Sequence, residues 1–331
     1  MTTPASPSGD GTVMRIVKSS LQQILVFGAL IAVYVFFMFA APNFAAPNVL
    51  TSILLQAATI GVLALGATFV IATGGIDLSV GTGMTLVAVM AGVFMSGSFM
   101  NLPLGLGLVL TILVGAALGL INGVLIAYLE IPPFIATLAM MMVSRGLALI
   151  ISDTQSIKIE NPDYYAIANG HLIPGISNAA LLLVLLTVVA ALLLSKTLLG
   201  RYALAIGSNE EATRLSGVNV RLWKMAVYVT AGVFTAIGAI VYSARFGFVQ
   251  PSEGLGFELQ VIAAVVIGGT SLAGGRANVI GTLVGALLME TLKTGLQMMN
   301  IAQQWQLVVT GIVVLAAVYA DNVRRKRAAT V

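Results

Sequence analysis

Apolar residues run along this chain in long blocks, not in the alternation of a strand or the one-sided stripe of a soluble helix. The blocks cover about Leu21 to Ala41, Thr51 to Ala72, the run from Gly81 to about Ser98, Leu104 to Tyr128, Phe134 to Ile151 and Ala179 to Leu194. They resume with Trp223 to Arg245, Leu259 to Ile267, Asn278 to Met298 and Trp305 to Tyr319. A bilayer core needs about 20 apolar residues in a helix, whose own hydrogen bonds then satisfy the backbone. The pattern therefore predicts an all-α integral membrane protein with about ten transmembrane helices. Turn signals separate the blocks, among them Pro42-Asn43 and Pro47-Asn48 and the consecutive prolines of Glu130-Ile131-Pro132-Pro133, which cannot continue a helix.

One polar island interrupts this regularity. Gly207, Ser208, Asn209, Glu210, Glu211, Ala212, Thr213, Arg214, Leu215, Ser216 and Gly217 lie between two long apolar runs and form the densest charge cluster in the chain ahead of its basic tail. Ser208 followed three residues later by Glu211 is a capping-box pattern. Ala212 and Leu215 fall on one side of a short helix, and Gly217 offers a left-handed stop. A helix of about eight residues is only ~12 Å long, too short to cross a bilayer. The expectation is a surface knob with an apolar ridge and a charged collar, suited to docking a soluble partner. A plain capped connector is the alternative.

A second feature is an internal echo. Gly74-Gly75-Ile76-Asp77-Leu78-Ser79-Val80-Gly81 aligns with Gly268-Gly269-Thr270-Ser271-Leu272-Ala273-Gly274-Gly275 in its leading glycines, its leucine and its last glycine. Each follows an inward-going run and precedes an outward-going one. Paired glycine interruptions in two halves of a membrane protein point to a substrate path; two tight turns would also explain them. Thr73, Asp77, Ser79, Thr270 and Ser271 are the candidate path residues. Asp77 and Ser79 stand at the start of the next helix, where an acidic cap is favoured, so capping competes with substrate contact there.

Composition sharpens the class. Of 331 residues 59% are hydrophobic and 8% charged, against roughly 25% charged in soluble domains. The net charge of +4 matters less than its placement. Arg15 and Lys18, then Lys196, Arg201, Arg214, Arg221 and Lys224, then Arg324, Arg325, Lys326 and Arg327 mark the cytoplasmic side by the positive-inside rule. Both termini are then cytoplasmic. Residues 1–20 read as a disordered cytoplasmic N-terminus, 21–321 as the transmembrane domain, and 322–331 as a basic tail. That tail follows an apolar run directly, so nucleic acid is not an expected partner. The first apolar run has no cleavage site of the secretory type. Cysteine is absent, which removes disulfides and thiolate metal sites, and the lone His171 sits in an outer segment, Ser152 to Asn178.

Catalytic signatures are missing. There is no Gly-Lys pair for a phosphate-binding loop, no His-Glu-x-x-His and no Gly-x-Ser-x-Gly, so neither an ATPase nor a hydrolase of those kinds is encoded. No catalytic residue, cofactor or metal is expected in this chain. Gly115, Gly119 and Gly123, and Gly281 with Gly285, read as close helix packing. Glu290 and Lys293 are spaced to pair, and Arg145, Arg245 and Lys293 to snorkel. Gln297, Asn300, Gln303, Gln304 and Gln306 place amides near the outer end of the last hairpin, to meet a hydroxylated solute or simply to hydrate a loop.

Four stretches together resemble a known family: Gly74 to Gly81, Pro133-Phe134-Ile135-Ala136-Thr137-Leu138, Gly207-Ser208-Asn209 through Asn219, and Ala263 through Gly275. In this order they are similar to the ribose-type permease subunits of bacterial ATP-binding-cassette (ABC) sugar importers, over about residues 45–322. The resemblance implies a multi-pass protein of the bacterial inner membrane that moves a monosaccharide by alternating access. It further implies a periplasmic sugar-binding protein, a second permease subunit (identical or paralogous), and a cytoplasmic ATPase, usually two fused cassettes, that binds the ATP and Mg. The stretch from Gly207 to Asn219 would be the coupling helix seated on that ATPase. The sequence leaves ribose, other sugars and polyols undistinguished. A permease for branched-chain amino acids and a stand-alone secondary carrier are the alternatives.

Overall fold

The computed structural model describes the backbone of residues 10–329 and the side chains of residues 24–323. Residues 1–9, and the side chains of Arg15, Lys18 and the basic residues from Arg324 onward, lie outside the described residues.

The first half of the chain forms α1 (Asp10–Ala40), α2 (Pro47–Ala72), α3 (Val80–Met95), α4 (Leu104–Ala127), α5 (Pro133–Ile151), strand β1 (Ile157–Lys158), α6 (Pro162–Asn169) and α7 (Asn178–Lys196). The second forms α8 (Leu198–Ser208), α9 (Glu210–Leu215), α10 (Val220–Phe246), strand β2 (Phe248–Val249), α11 (Phe257–Ile267), α12 (Val279–Met298) and α13 (Gln303–Ala329). The protein is an all-α membrane protein. Seven helices (α2, α4, α5, α7, α10, α12 and α13) are long and apolar enough to cross a bilayer, and α3, α11 and the stretch Ile24–Ala40 of α1 are apolar but shorter. Helix α1 begins at Asp10 and takes in residues 10–20, which composition suggested were unstructured. From Thr12 to Phe27 nothing breaks a helix, neither glycine nor proline.

Helix α2 is buried along most of its length, with α7, α10, α11 and α12 around it. Lipid is as apolar as leucine, so helices in a membrane gain little from hiding leucine and much from close approach. The glycines act accordingly. A side chain at Gly119 would strike the Tyr228 carbonyl, and at Gly115 and Gly232 the two backbones of α4 and α10 face each other directly. Gly281 and Gly285 bring α12 in the same way against Gly268 and Ala264. The expected packing role of these glycines is what the structure shows. Large side chains such as Leu113, Ile150, Val184 and Leu315 cover the outer surface.

The two ends of the bundle differ. At one end β1 and β2 pair antiparallel, Ile157 with Val249 and Lys158 with Phe248. Beside them α6 clamps the end of α10. The Tyr164 hydroxyl lies 2.6 Å from Ser243 Oγ, and the Asn169 amide donates to the carbonyls of Ala244 and Arg245 at 3.1 Å each. Burial pushes the Tyr164 pKa upward, keeping the phenol neutral. This strand pair was not foreseen, because two residues carry no periodicity to read. The opposite end carries α8, α9 and both glycine-rich turns.

Candidate functional site

At the α9 end the knob takes a definite form. Helix α9 has six residues, not about eight, and its cap is Asn209, whose side chain accepts the Ala212 N–H at 2.9 Å. The Ser208–Glu211 capping box expected from the sequence does not form, because Ser208 closes α8 and the extended backbone at Asn209 (φ −158°) makes the break. Gly217 has the left-handed φ of +82° expected of a stop. Thr213 faces inward, while Leu215 is 79% exposed and Ala212 is exposed beside it. An apolar ridge thus points away from the bundle.

Charges surround that ridge. Arg214 pairs with Glu211 at 2.6 Å, Lys224 with Glu210 at 2.6 Å, and Arg221 with Glu130 at 2.7 Å. The Glu211 hydrogen bond raises the Arg214 pKa above its ordinary value. The second and third pairs tie α9 and the α4–α5 turn to the start of α10. Two adjoining cavities of about 370 and 220 Å³ open here, sharing Ile126, Pro133, Glu210 and Lys224.

Immediately before α9, three backbones meet. The Gly275 N–H donates to the Ala72 carbonyl at 3.0 Å. A Cβ on Gly207 would collide with that carbonyl and lie 2.6 Å from Gly275 N, and one on Gly274 would lie 2.8 Å from both Gly207 Cα and Gly74 N. The two turns that echo each other in sequence therefore touch, and Gly207, near the end of α8, is wedged between them. Gly74 (φ +81°), Gly274 (+82°) and Gly275 (+73°) adopt backbone angles that other residues rarely reach.

The first turn is held by side chains. Asp77 Oδ1 accepts from the Ser79 N–H at 2.8 Å and the Ser79 hydroxyl at 2.6 Å, and Asn122 Nδ2 donates to Ser79 Oγ at 2.9 Å. Ser79, not Asp77, is the N-cap residue of α3, and its side chain makes no capping bond. Thr137 Oγ1 accepts the Leu78 N–H at 3.1 Å, which explains the threonine in the Pro133–Leu138 motif. Asp77, Ser79 and Asn122 border a cavity of about 20 Å³, and Asn122 Oδ1 has no partner; such a space holds about one water. The second turn is held by its own backbone and one hydroxyl. Thr270 Oγ1 accepts the Asn278 N–H at 3.0 Å, and the Ser271 N–H donates to the Arg276 carbonyl at 3.1 Å. Thr73 donates to the Val70 carbonyl and borders the 220 Å³ cavity beside Glu210. The five candidate path residues thus occupy three separate places.

A cavity of about 440 Å³ lies at the α6 end between α2, α10, α11, α12 and α13. Gln297, Gln303 and Gln306 border it, while Asn300 forms the α12–α13 turn at φ +56°. Glu290 and Lys293 both line it but form no ion pair, contrary to the spacing-based expectation. Arg245 and Lys293 are half-buried and border this cavity, which accounts for their place in apolar runs better than snorkelling. Gln56, Thr59, Tyr242, Glu253 and Gln260 also line it and were not singled out from the sequence. They come from segments up to two hundred residues apart, so spacing carried no signal of them. Among the described residues no group of three or more histidine, cysteine, aspartate or glutamate side chains could hold a metal ion.

A helical bundle with broken, glycine-hinged segments, polar cavities and a capped knob at one end defines a multi-pass membrane transport protein. Residues 49–318 match the family described as branched-chain amino acid transport system / permease component, and the chain belongs to that family. It is 37% identical over 308 residues to the ribose import permease protein RbsC of Escherichia coli (strain K12), covering 92% of this chain and 93% of that one. Against the RbsC of Bacillus subtilis (strain 168) the figures are 41% over 284 residues, covering 85% and 87%. The xylose transport system permease protein XylH of E. coli (strain K12) is 32% identical over 370 aligned positions, covering 93% of each chain. No solved structure matches. The chain is a permease of the ribose type and not itself an enzyme.

Proposed function

We propose that this chain is the membrane-spanning subunit of an ATP-driven importer that carries a monosaccharide, ribose or a related sugar or polyol, across the bacterial inner membrane. The relatives named for ribose and xylose import support the substrate class. In this reading the seven long helices and the three shorter apolar ones make ten spans, both termini are cytoplasmic, and the α6 end faces outward to a periplasmic sugar-binding protein. A cytoplasmic ATPase, in one chain of two cassettes, binds ATP and Mg and grips α9, and a second permease subunit completes the assembly.

The observation that carries the proposal is the contact of Gly207 with Ala72 and Gly275. On this reading a displacement of α9 would pass through the end of α8, at Gly207, to both glycine-rich turns. Thr73, Asp77, Ser79, Thr270 and Ser271 lie on or beside those turns and would shift together between inward- and outward-open states. The alternating-access step is then a rigid-body movement triggered at the knob. The test reverses Glu210, Glu211 and Arg214 in charge and reconstitutes the complex in liposomes. Sugar uptake is expected to stop while the protein inserts normally; unaltered substrate-stimulated ATP hydrolysis coupled to uptake would overturn the role of α9. The family's description favours a second reading, import of branched-chain amino acids. Thermal-shift screening of the cognate binding protein separates the two, since leucine or isoleucine would stabilise it in one case and a sugar in the other.

A further inference from the structure

The 440 Å³ cavity at the α6 end is not explained by coupling, and none of the five path residues borders it. Its size falls in the range of about 300–1,000 Å³ typical of small-molecule sites. Two of its lining groups are buried polar side chains with no hydrogen-bond partner. Glu290, 3% exposed, leaves Oε1 unpaired, and Thr59, also 3% exposed, leaves Oγ1 unpaired. Native proteins pair nearly all buried polar atoms, so two orphaned atoms on residues that line one cavity mark it as built for more than packing. A glutamate at the middle of a membrane helix is costly to keep without a use.

The chemistry of the lining narrows the choice of ligand. Arg245 and Lys293 bring two positive charges, and Glu253 and Glu290 bring two negative ones. The formal sum is zero, so a ligand with a net charge would enter this half-buried space without a counter-ion. The carboxylate accepts hydrogen bonds, the cations donate them, and the amides of Gln56, Gln260 and Gln297 do both. Closely spaced hydroxyls, each a donor and an acceptor, match such a set. One wall is aromatic and stiff: Tyr242 meets Phe246 at 5.2 Å and Phe257 at 6.1 Å between ring centroids, both edge-to-face. That wall suits the C–H face of a small ring. The guanidinium of Arg245 is itself held over the Phe246 ring at 4.7 Å, so its donors are pre-oriented.

We infer that this cavity, within a single subunit, is a binding site for an uncharged polyhydroxylated solute, with Glu290 and Thr59 as its buried hydrogen-bonding groups. The inference rests on the import reading above, and deepens it by placing the solute within α2, α10, α11, α12 and α13. Because the chain has no cysteine, Gln297→Cys introduces its one thiol. In the reconstituted complex that thiol is labelled from outside with a membrane-impermeant cationic methanethiosulfonate, with labelling read by mass on this chain. A panel of D-ribose, D-xylose, D-glucose and myo-inositol is compared with D-gluconate and L-leucine.

At least one neutral member is expected to slow labelling threefold or more, with gluconate and leucine without effect. Adding Glu290→Gln or Thr59→Val should remove that protection and lower ATP-driven uptake of the protecting solute about tenfold at limiting concentration. The conservative Thr59→Ser should restore both. Labelling indifferent to every neutral solute, or slowed by gluconate or leucine, overturns the assignment. Unmutated complex that imports sugar while the Glu290 and Thr59 variants match it overturns this site alone and leaves the importer standing. Absence of ATP-dependent sugar uptake by the unmutated complex removes the import reading itself, and this inference with it.

Discussion

The two ends of the bundle solve opposite problems. Around Gly207 three backbones are in contact, and even one methyl group has no room. At the α6 end five helices stand apart around a 440 Å³ space, and buried polar atoms go unpaired there. The first arrangement would transmit displacement, because close-packed backbone cannot absorb it. The second, on the inference above, would bind a solute at the expense of stability. The same chain thus closes its backbones together where force would enter and leaves room where a solute would.

Substitutions can break this contrast, and the largest effect is expected at the junction. Gly207→Val drives a branched side chain into the Ala72 carbonyl; overpacking commonly costs roughly 1–3 kcal/mol, and here the obstacle is backbone. A loss of about 3 kcal/mol, seen as a lowered thermal midpoint of the detergent-purified protein together with lost uptake, is expected. Unchanged stability would show that the three strands of backbone have slack. Glu290→Met should move stability the other way, since an orphaned buried polar group costs about 1–3 kcal/mol. The midpoint should rise while uptake falls, and a fall in both would mean that Glu290 is a structural group.

Smaller effects sharpen the picture. Asn209→Ala removes the one side-chain cap of α9, worth ~1 kcal/mol; the expected readout is faster proteolysis or hydrogen exchange confined to α9 and weaker coupling of ATP hydrolysis to uptake. If exchange in α9 is unaffected, the helix is held by its neighbours alone. Arg221→Gln breaks an exposed pair with Glu130, both side chains being more than half exposed, and such pairs contribute about 0–1 kcal/mol. A barely altered midpoint is expected, and a large drop would make this pair a latch between the α4–α5 turn and α10.

How far the site could be read in advance follows from what each residue depends on. The α9 knob was legible because polar residues in an apolar chain stand out, and because Gly217 marks a left-handed stop. Its cap was misplaced by one residue: Ser208 and Asn209 are both good caps, and α8, amphipathic and continuous up to Ser208, decided between them. The glycine steps of α4 and α12 were legible as packing since small residues at every fourth position have few other uses in a membrane. Glu290 and Lys293 were read as a pair from spacing alone, and the actual surroundings of each, a shared cavity bordered by Arg245 and Glu253, come from other helices.

By itself the sequence determined the class of protein: runs of twenty apolar residues can satisfy their backbone in lipid only as helices, and a capped polar segment among them can only lie outside the bilayer core. Tertiary structure alone decided which way each helix faces. In lipid every side of a helix can be apolar, so no stripe of polar residues announces the buried face, and Gln56, Glu290 and Arg245 show their common cavity only once α2, α12 and α10 are packed. The meeting of Gly207 with both glycine-rich turns is of the same kind, because contact between backbones leaves no mark in side-chain chemistry beyond the glycines that permit it.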